Sequence, residues 1–220
     1  MFAAWEAGVW NVLSRRFRPD LIVGASSGAW NGWAIAGGAS PETLVREWHD
    51  ASIAATWLFR PELLQQKAQD LWARFRPRQP FGLTVVEVPH FHARLVTGLD
   101  IGWRHLAATC SIPGAFPAVA IDGKFFVDGG LLGSLPLWAA EEMGASHAIA
   151  INCLTGVSFR MFRAVMRPRV HSPALDVQLI EPSERLGSLK DTVCWSLTNI
   201  ERWIAMGERD AKRALTSITM

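Results

Sequence analysis

Ser26 is the side chain whose setting in this 220-residue sequence best fits a nucleophile. Residues 24–28 read Gly-Ala-Ser-Ser-Gly, which matches the G-x-S-x-G pattern with Ser26 at its centre. A short apolar stretch ends at Gly24, and a small-residue stretch suited to a buried helix begins at Ser27. A strand-to-helix turn of this kind presents a serine hydroxyl for attack on an ester. The alternative is a tight turn in which the serine only caps a helix.

The residues around Ser26 fit the same chemistry. We expect Gly24 and Gly28 to be required, because a Cβ at either position would clash with the flanking backbone of such a turn. The following helix directs its N-terminus at the site, which favours negative charge. The backbone N–H of Ser27 is then a candidate donor to the oxyanion that forms during attack.

A serine hydroxyl also needs a base to accept its proton, and Asp128 is the stronger candidate. It ends an apolar strand and is followed by Gly129 and Gly130, which we expect to allow a tight turn. In an apolar pocket a carboxyl has a raised pKa and becomes a better base. Asp-Gly-Gly as a plain turn is the alternative. Among the six histidines, His171 has the chain order of a Ser–Asp–His triad, but none lies in a recognisable motif.

The rest of the sequence predicts the elements that hold these residues. Apolar strands alternate with helical stretches, which indicates an α/β fold with a mainly parallel central sheet covered by helices. Asp122-Gly123 within an alternating segment predicts a short hairpin leading to Asp128. There is no internal repeat and no linker, so residues 1–220 are predicted to form a single domain.

Charge and cysteine content argue against a nucleic-acid partner and against a metal site. A net charge of +2 and a pI near 8.6 give no electrostatic case for a nucleic-acid partner. Three widely separated cysteines form neither a disulfide framework nor a zinc pattern, and they favour a reducing compartment. We therefore expect no metal. The oligomeric state is not readable from the sequence.

The sequence also predicts a cytoplasmic location. No apolar run approaches the roughly 20 residues that span a bilayer. The N-terminal stretch differs from a signal peptide, because Glu6 interrupts its apolar residues and Arg15 and Arg16 follow them. A cluster of arginines among apolar residues, at 160–169, could contact anionic headgroups at a membrane surface. The alternative is a solvated segment whose arginine stems lie along the protein.

Four stretches together resemble the patatin-like phospholipase family. They are residues 18–29 (RPDLIVGASSGA), 110–117 (CSIPGAFP), 122–130 (DGKFFVDGG) and 135–145 (LPLWAAEEMGA). Their order and spacing match the family, and the resemblance covers most of the chain from residue 3 to about 153.

The resemblance implies a fold and a mechanism. The family fold is a three-layer α/β/α sandwich, and its substrates are lipid acyl esters. The family uses a Ser–Asp dyad without histidine, which makes Ser26 the nucleophile and Asp128 the base. It implies an acyl-enzyme intermediate and neither a metal nor an organic cofactor.

The sequence departs from the family in two places. The Gly-rich loop that supplies oxyanion donors, and the strand before it, would precede Met1 and are absent. Loss of one oxyanion donor costs about 2.7–4 kcal/mol of transition-state stabilisation, and loss of a central strand would leave a sheet edge or gap. We favour a start upstream of Met1; the alternative is a weakened or inactive lipid-binding relative. The second departure is Gly133-Ser134, where the family often has asparagine.

Overall fold

A computed structural model describes residues 1–52, 60–155, 169–188 and 190–216. Its helices are Ala3–Leu13 (α1), Ser26–Ala36 (α2), Pro41–His49 (α3), Pro61–Arg74 (α4), Trp103–Ala108 (α5), Leu137–Glu142 (α6) and Leu197–Ala214 (α7). Its strands are Ile22–Ala25 (β1), Phe81–Val88 (β2), His92–Thr97 (β3), Val119–Ile121 (β4), Lys124–Asp128 (β5), His147–Ile151 (β6) and Asp176–Ile180 (β7).

Strand β2 is the centre of the larger sheet because it pairs with three other strands. Residues 82–87 of β2 pair with β3, residues 81–84 of β2 pair with β1, and residues 85–88 of β2 pair with β5. A strand has only two edges, and β3 overlaps both of the others. β1 and β5 therefore share the opposite edge of β2, one after the other. This position explains why β2 is buried along most of its length, as its continuous apolar sequence suits.

The expectation of a mainly parallel sheet is wrong. β1 pairs with β2 in parallel, but β3 and β5 pair with β2 in antiparallel orientation, and so does β4 with β5. Hairpins connect β2 to β3 and β4 to β5, and hairpins join antiparallel strands. The sheet is therefore mixed. The α/β composition itself is confirmed. The three-layer arrangement and the single domain over residues 1–220 stay predictions.

The predicted hairpin at Asp122-Gly123 is confirmed. The two residues connect β4 to β5, and both have positive φ, 49° for Asp122 and 76° for Gly123. Positive φ at both central residues is the pattern of the tight hairpin turn whose twist matches the flanking strands. The turn directs β5 back along β2 and so brings its last residue, Asp128, to the middle of the sheet.

A cavity separates this sheet from a second, two-stranded one. Within the described residues β1 pairs only with β2, and β6 pairs only with β7, in parallel. All residues of β1 and β6 line a cavity of about 740 Å³, whose other walls come from α1, α2 and residues 134–137. Within the described part of the chain, the edge of β1 that faces this cavity has no strand partner.

Helices α1 and α7 pack with direct backbone contact. A Cβ added at Gly8 would lie 2.1 Å from the carbonyl oxygen of Ile204, and one added at Gly207 would lie 2.1 Å from that of Trp5. The Trp5 indole N–H also donates to the buried Asp210 carboxylate at 2.9 Å. The two glycines thus let α7 cover α1, whose remaining face packs on α2 and α3.

The arginine cluster for which the sequence offered membrane contact or a solvated segment lies mostly outside the described residues, since Arg160, Arg163 and Arg167 belong to 156–168. Arg169 is described, and it forms an ion pair with Glu142 and lies 4.2 Å from the ring centre of Trp138. Its guanidinium is thus held against the protein. In the part of the chain that the structure describes, no helix has both the length and the apolar character to cross a bilayer.

The close approach of α1 and α7 predicts the effect of a small substitution. Gly207→Ala gains up to about 1 kcal/mol of helix propensity, but its methyl group overlaps the Trp5 carbonyl. We expect the clash to prevail and to lower the free energy of unfolding by about 1–3 kcal/mol, measured by urea denaturation. Glu201→Ala, on the exposed side of the same helix, is the control and should change stability by less than about 0.5 kcal/mol. Equal values for both variants would contradict the close approach.

Candidate active site

The ends of β1 and β5 meet head to head on β2. Ala25, the last residue of β1, lies opposite Thr84, and Asp128, the last residue of β5, lies opposite Val85. The two strands approach from opposite directions, so neither can continue without colliding with the other. Each must leave the sheet at this point. The residues at the collision are Ser26 and Asp128, so the topology of the sheet brings them together from 102 positions apart.

Strand β1 leaves the sheet through a sharp turn at Ser26. This residue is the first of α2 and has a φ of +52°, which is unusual for a residue with a Cβ. Gly24 is required, because a Cβ there would lie 2.6 Å from Ala29 Cα. The corresponding expectation for Gly28 stays a prediction. Outside its own helix, a Cβ there would lie nearest the Glu6 carboxylate, at 3.3 Å.

Strand β5 leaves the sheet through Gly129, which begins a short 3-10 helix. A Cβ at Gly129 would lie 2.0 Å from the Thr84 carbonyl oxygen, so only glycine can pass β2 at this distance. Neither Gly129 nor Gly130 has a positive φ. The glycine requirement at 129 therefore comes from close approach to β2 rather than from the tight turn that the sequence suggested. Gly130 contributes its N–H, which donates to Asp128 Oδ1 at 2.6 Å.

The side chains of Ser26 and Asp128 are hydrogen-bonded. Ser26 Oγ donates to Asp128 Oδ2 at 2.7 Å. Ser26 is partly exposed, whereas Asp128 is 5% exposed. Burial raises the pKa of Asp128 to about 7, although the hydrogen bonds from Ser26 and Gly130 favour the carboxylate and oppose this shift. At neutral pH such a carboxyl exchanges protons readily, as a general base must.

The segment from Thr109 to Ser111 holds both members of the pair. Thr109 Oγ1 accepts a hydrogen bond from the Ser26 N–H at 2.9 Å, and the Ser111 carbonyl accepts one from the Asp128 N–H at 3.0 Å. Sequence reasoning missed both residues. The only signal available was the stretch 110–117 shared with the patatin-like family, which contains Ser111 and directly follows Thr109.

Two further titratable groups lie near the site, the buried Cys110 and the partly buried Glu6. Burial, and next the nearby Asp128 carboxylate, raise the pKa of the Cys110 thiol well above its usual range, so this cysteine is a poor nucleophile. Glu6 lies beside the elbow, where it accepts hydrogen bonds from Asn31 Nδ2 at 3.2 Å and Cys153 Sγ at 3.1 Å. Burial raises the pKa of Glu6 as well, which favours its neutral form next to the dyad.

The first turn of α2 contains the Ser27 N–H, which the sequence predicts as an oxyanion donor. Helix N–H groups in the first turn have no acceptor within the helix. The Ser26 N–H is bonded to Thr109, so the next N–H groups, those of Ser27 and Gly28, are the ones in position to face an anion. They lie at the positive end of α2, immediately after the hydroxyl.

Within the described structure, no histidine is hydrogen-bonded to Ser26. His171 Nδ1 lies 2.8 Å from the carbonyl oxygen of the adjacent Ser172, while the serine hydroxyl is bonded to Asp128. His90 and His92 stack on each other at 6.0 Å at the β2–β3 turn. Among the residues described, no three His, Cys, Asp or Glu side chains converge in a way that could hold a metal ion.

Comparison with known proteins identifies relatives in yeasts. The chain is 36% identical over 50 residues to the lysophospholipase NTE1 of Candida albicans and, equally, to that of Lodderomyces elongisporus. Each match covers 23% of this chain and 4% of the relative. The chain thus corresponds to a small part of these curated proteins.

A family model covers far more of the chain. The model described as patatin-like phospholipase matches residues 1–86 and 99–141, more than half of the sequence. The matched ranges include the elbow at Ser26, the segment from Thr109 to Ser111, and Asp128 with its two glycines. The family implies lipid acyl hydrolase activity. By this match, the chain belongs to the patatin-like phospholipase family.

Proposed function

We propose that this protein is a serine hydrolase that cleaves lipid acyl esters through a dyad of Ser26 and Asp128. The observation that carries the proposal is the 2.7 Å hydrogen bond from the serine hydroxyl to a buried carboxylate. A nucleophile within hydrogen-bond reach of its base is the arrangement that covalent catalysis needs. The family supports lipid esters as the substrate class.

The geometry supports a two-step reaction. The Asp128 carboxylate takes the hydroxyl proton while Ser26 Oγ bonds to the ester carbonyl carbon, and the carbonyl oxygen becomes an oxyanion facing Ser27 and Gly28 N–H. The protonated Asp128 then gives its proton to the departing alcohol, which leaves an acyl group on Ser26. In the second step a water gives its proton to Asp128 and attacks the acyl-enzyme. Fatty acid leaves, and Ser26 recovers its proton from Asp128.

We further propose a phospholipid or lysophospholipid as the ester. The relatives carry the name lysophospholipase, although each is far longer than the matched segment. We propose contact with a membrane surface as well, because a phospholipid ester is reached at a bilayer surface. We also propose a cytoplasmic location. The three cysteines are free, as a reducing compartment would keep them.

One observation favours a second candidate, a weakened lipid-binding relative. Within the described residues, the edge of β1 opposite β2 faces the cavity without a strand partner. Such a protein would bind lipid while turning over esters slowly or not at all.

The nucleophile is tested with a fluorophosphonate probe, which labels activated serines. We expect the protein to be labelled and Ser26→Ala to abolish both labelling and hydrolysis of a short-chain ester. His171→Ala is the matched comparison, because a Ser–Asp–His triad would lose activity with it and the dyad would not. Labelling that persists in Ser26→Ala would contradict the dyad, and unlabelled protein that still binds liposomes would favour the weakened relative.

The pKa of Asp128 predicts the pH dependence of hydrolysis. The base must be ionised, so kcat/KM should rise with pH and level off above an apparent pKa near 7. Asp128→Asn removes the base and should lower kcat by about 10²–10⁴-fold. A profile that is already flat at pH 5 would be inconsistent with a buried carboxyl as the base.

The same carboxyl predicts a pH-dependent stability difference that does not depend on activity. Its pKa is about 7 in the folded protein against 3.8 for the free group, so the folded state binds more protons between these values. Stability contributed by neutral Asp128 is therefore lost as pH rises from about 4 to about 7. Asp128→Asn does not titrate, so its stability advantage should grow over this range and stay constant above it. Urea denaturation at several pH values measures this, and a constant difference would contradict the raised pKa.

A further inference from the structure

We propose that the Thr109 hydroxyl is a positioning group that sets the orientation of Ser26 towards Asp128. The proposal rests on the proposed function, because it concerns the nucleophile of that reaction. Thr109 is fully buried at the C-terminal end of α5. Its hydroxyl accepts a hydrogen bond from the Ser26 N–H at 2.9 Å and donates one to the Thr84 carbonyl at 2.8 Å.

The hydroxyl occupies a place where the sheet ladder would otherwise continue. The Ile22 N–H donates to the Pro80 carbonyl at 3.0 Å, and Ile22 lies opposite Phe81. In a parallel pair this pattern repeats every two residues. If the ladder continued for four more residues, the Ser26 N–H would donate to the Thr84 carbonyl. Those two groups are instead joined through the Thr109 hydroxyl, which is inserted between them.

The insertion is what separates the nucleophile from the sheet. A direct bond to Thr84 would keep residue 26 in the extended conformation of β1. With a hydroxyl between the two groups, Ser26 can leave the ladder and adopt its left-handed φ of +52° without leaving either group unpaired. Such a conformation persists only where surrounding contacts determine it.

Only a side chain that accepts and donates at once can fill this role. The Ser26 N–H needs an acceptor, and the Thr84 carbonyl needs a donor. Serine and threonine provide both from one oxygen, whereas valine has the shape of threonine and provides neither. The same segment also fixes the base, since the Ser111 carbonyl holds the Asp128 N–H. Thr109 thus anchors the nucleophile to the segment that anchors its base.

The test compares Thr109→Val with Thr109→Ser. We expect Thr109→Val to lower kcat by about 10²-fold with little change in KM, because a displacement of about 1 Å has that effect on a reacting group. The serine variant keeps the hydroxyl and should retain kcat within a few-fold of wild type. If the valine variant does not fold, Thr109→Ala replaces it with the same expectation.

The pH profile gives a readout that a purely structural role would not move. The hydrogen bond from Ser26 favours ionised Asp128, so its loss in Thr109→Val should raise the pKa of Asp128 and shift the acidic limb of kcat/KM to higher pH. A valine variant with lowered stability but wild-type kcat and pH profile would overturn the proposal.

The geometry is also measured independently of catalysis. Crystal structures should show the separation between Ser26 Oγ and Asp128 Oδ2 lengthen beyond hydrogen-bond range in Thr109→Val and stay near 2.7 Å in Thr109→Ser. An unchanged separation in the valine variant overturns the positioning role even if the protein proves inactive. Conversely, loss of the proposed hydrolase function would appear as wild-type protein without Ser26-dependent turnover, whatever the structures of the variants show.

Discussion

The site depends on one constraint, the meeting of two strands that run towards each other along a single edge of β2. β1 ends opposite Thr84 and β5 ends opposite Val85, and there is no further room on that edge. Both chains must turn out of the sheet within one residue of each other. The hydroxyl and carboxyl at these turns are then neighbours because of the strand pairing. The positions of the two side chains are therefore fixed by hydrogen-bonded strands, which hold a site more accurately than flexible loops do.

The turns carry an energetic cost that the surroundings offset. A residue with a Cβ in the left-handed region costs about 1–3 kcal/mol, and a buried carboxyl without a cation resists ionisation. Each is opposed by local hydrogen bonds. Thr109 Oγ1 accepts one from the Ser26 N–H, and the Asp128 carboxylate accepts one from the Gly130 N–H and one from Ser26 Oγ. These bonds are few enough that the carboxyl keeps a pKa of about 7 instead of the value of an exposed aspartate. A base needs this intermediate state, since full stabilisation of the carboxylate would weaken its affinity for a proton.

The sequence predicted the features that depend on short stretches of chain. The elbow at Ser26, the strand ending at Asp128 and the hairpin turn at Asp122-Gly123 are each specified by adjacent residues. The direction of the sheet strands was not predictable in this way, because alternating strands and helices suggest crossovers and β2 instead pairs with two hairpin-forming neighbours. The reason that residue 129 must be glycine was also not predictable, since a Cβ there would clash with the carbonyl oxygen of Thr84, a residue distant in sequence. Thr109 was missed for the same cause: its role exists only when the register of β1 on β2 is known.

The two edges of β1 have different surroundings, and only one of them positions the Ser26–Asp128 pair. The edge on β2 determines where Ser26 and Asp128 lie, through Thr84 and Thr109. The other edge borders the cavity and contributes nothing to that pairing in the described structure. The positions of Ser26 and Asp128 therefore depend on the strand pairing along β2 and on Thr109, and not on the edge of β1 that borders the cavity.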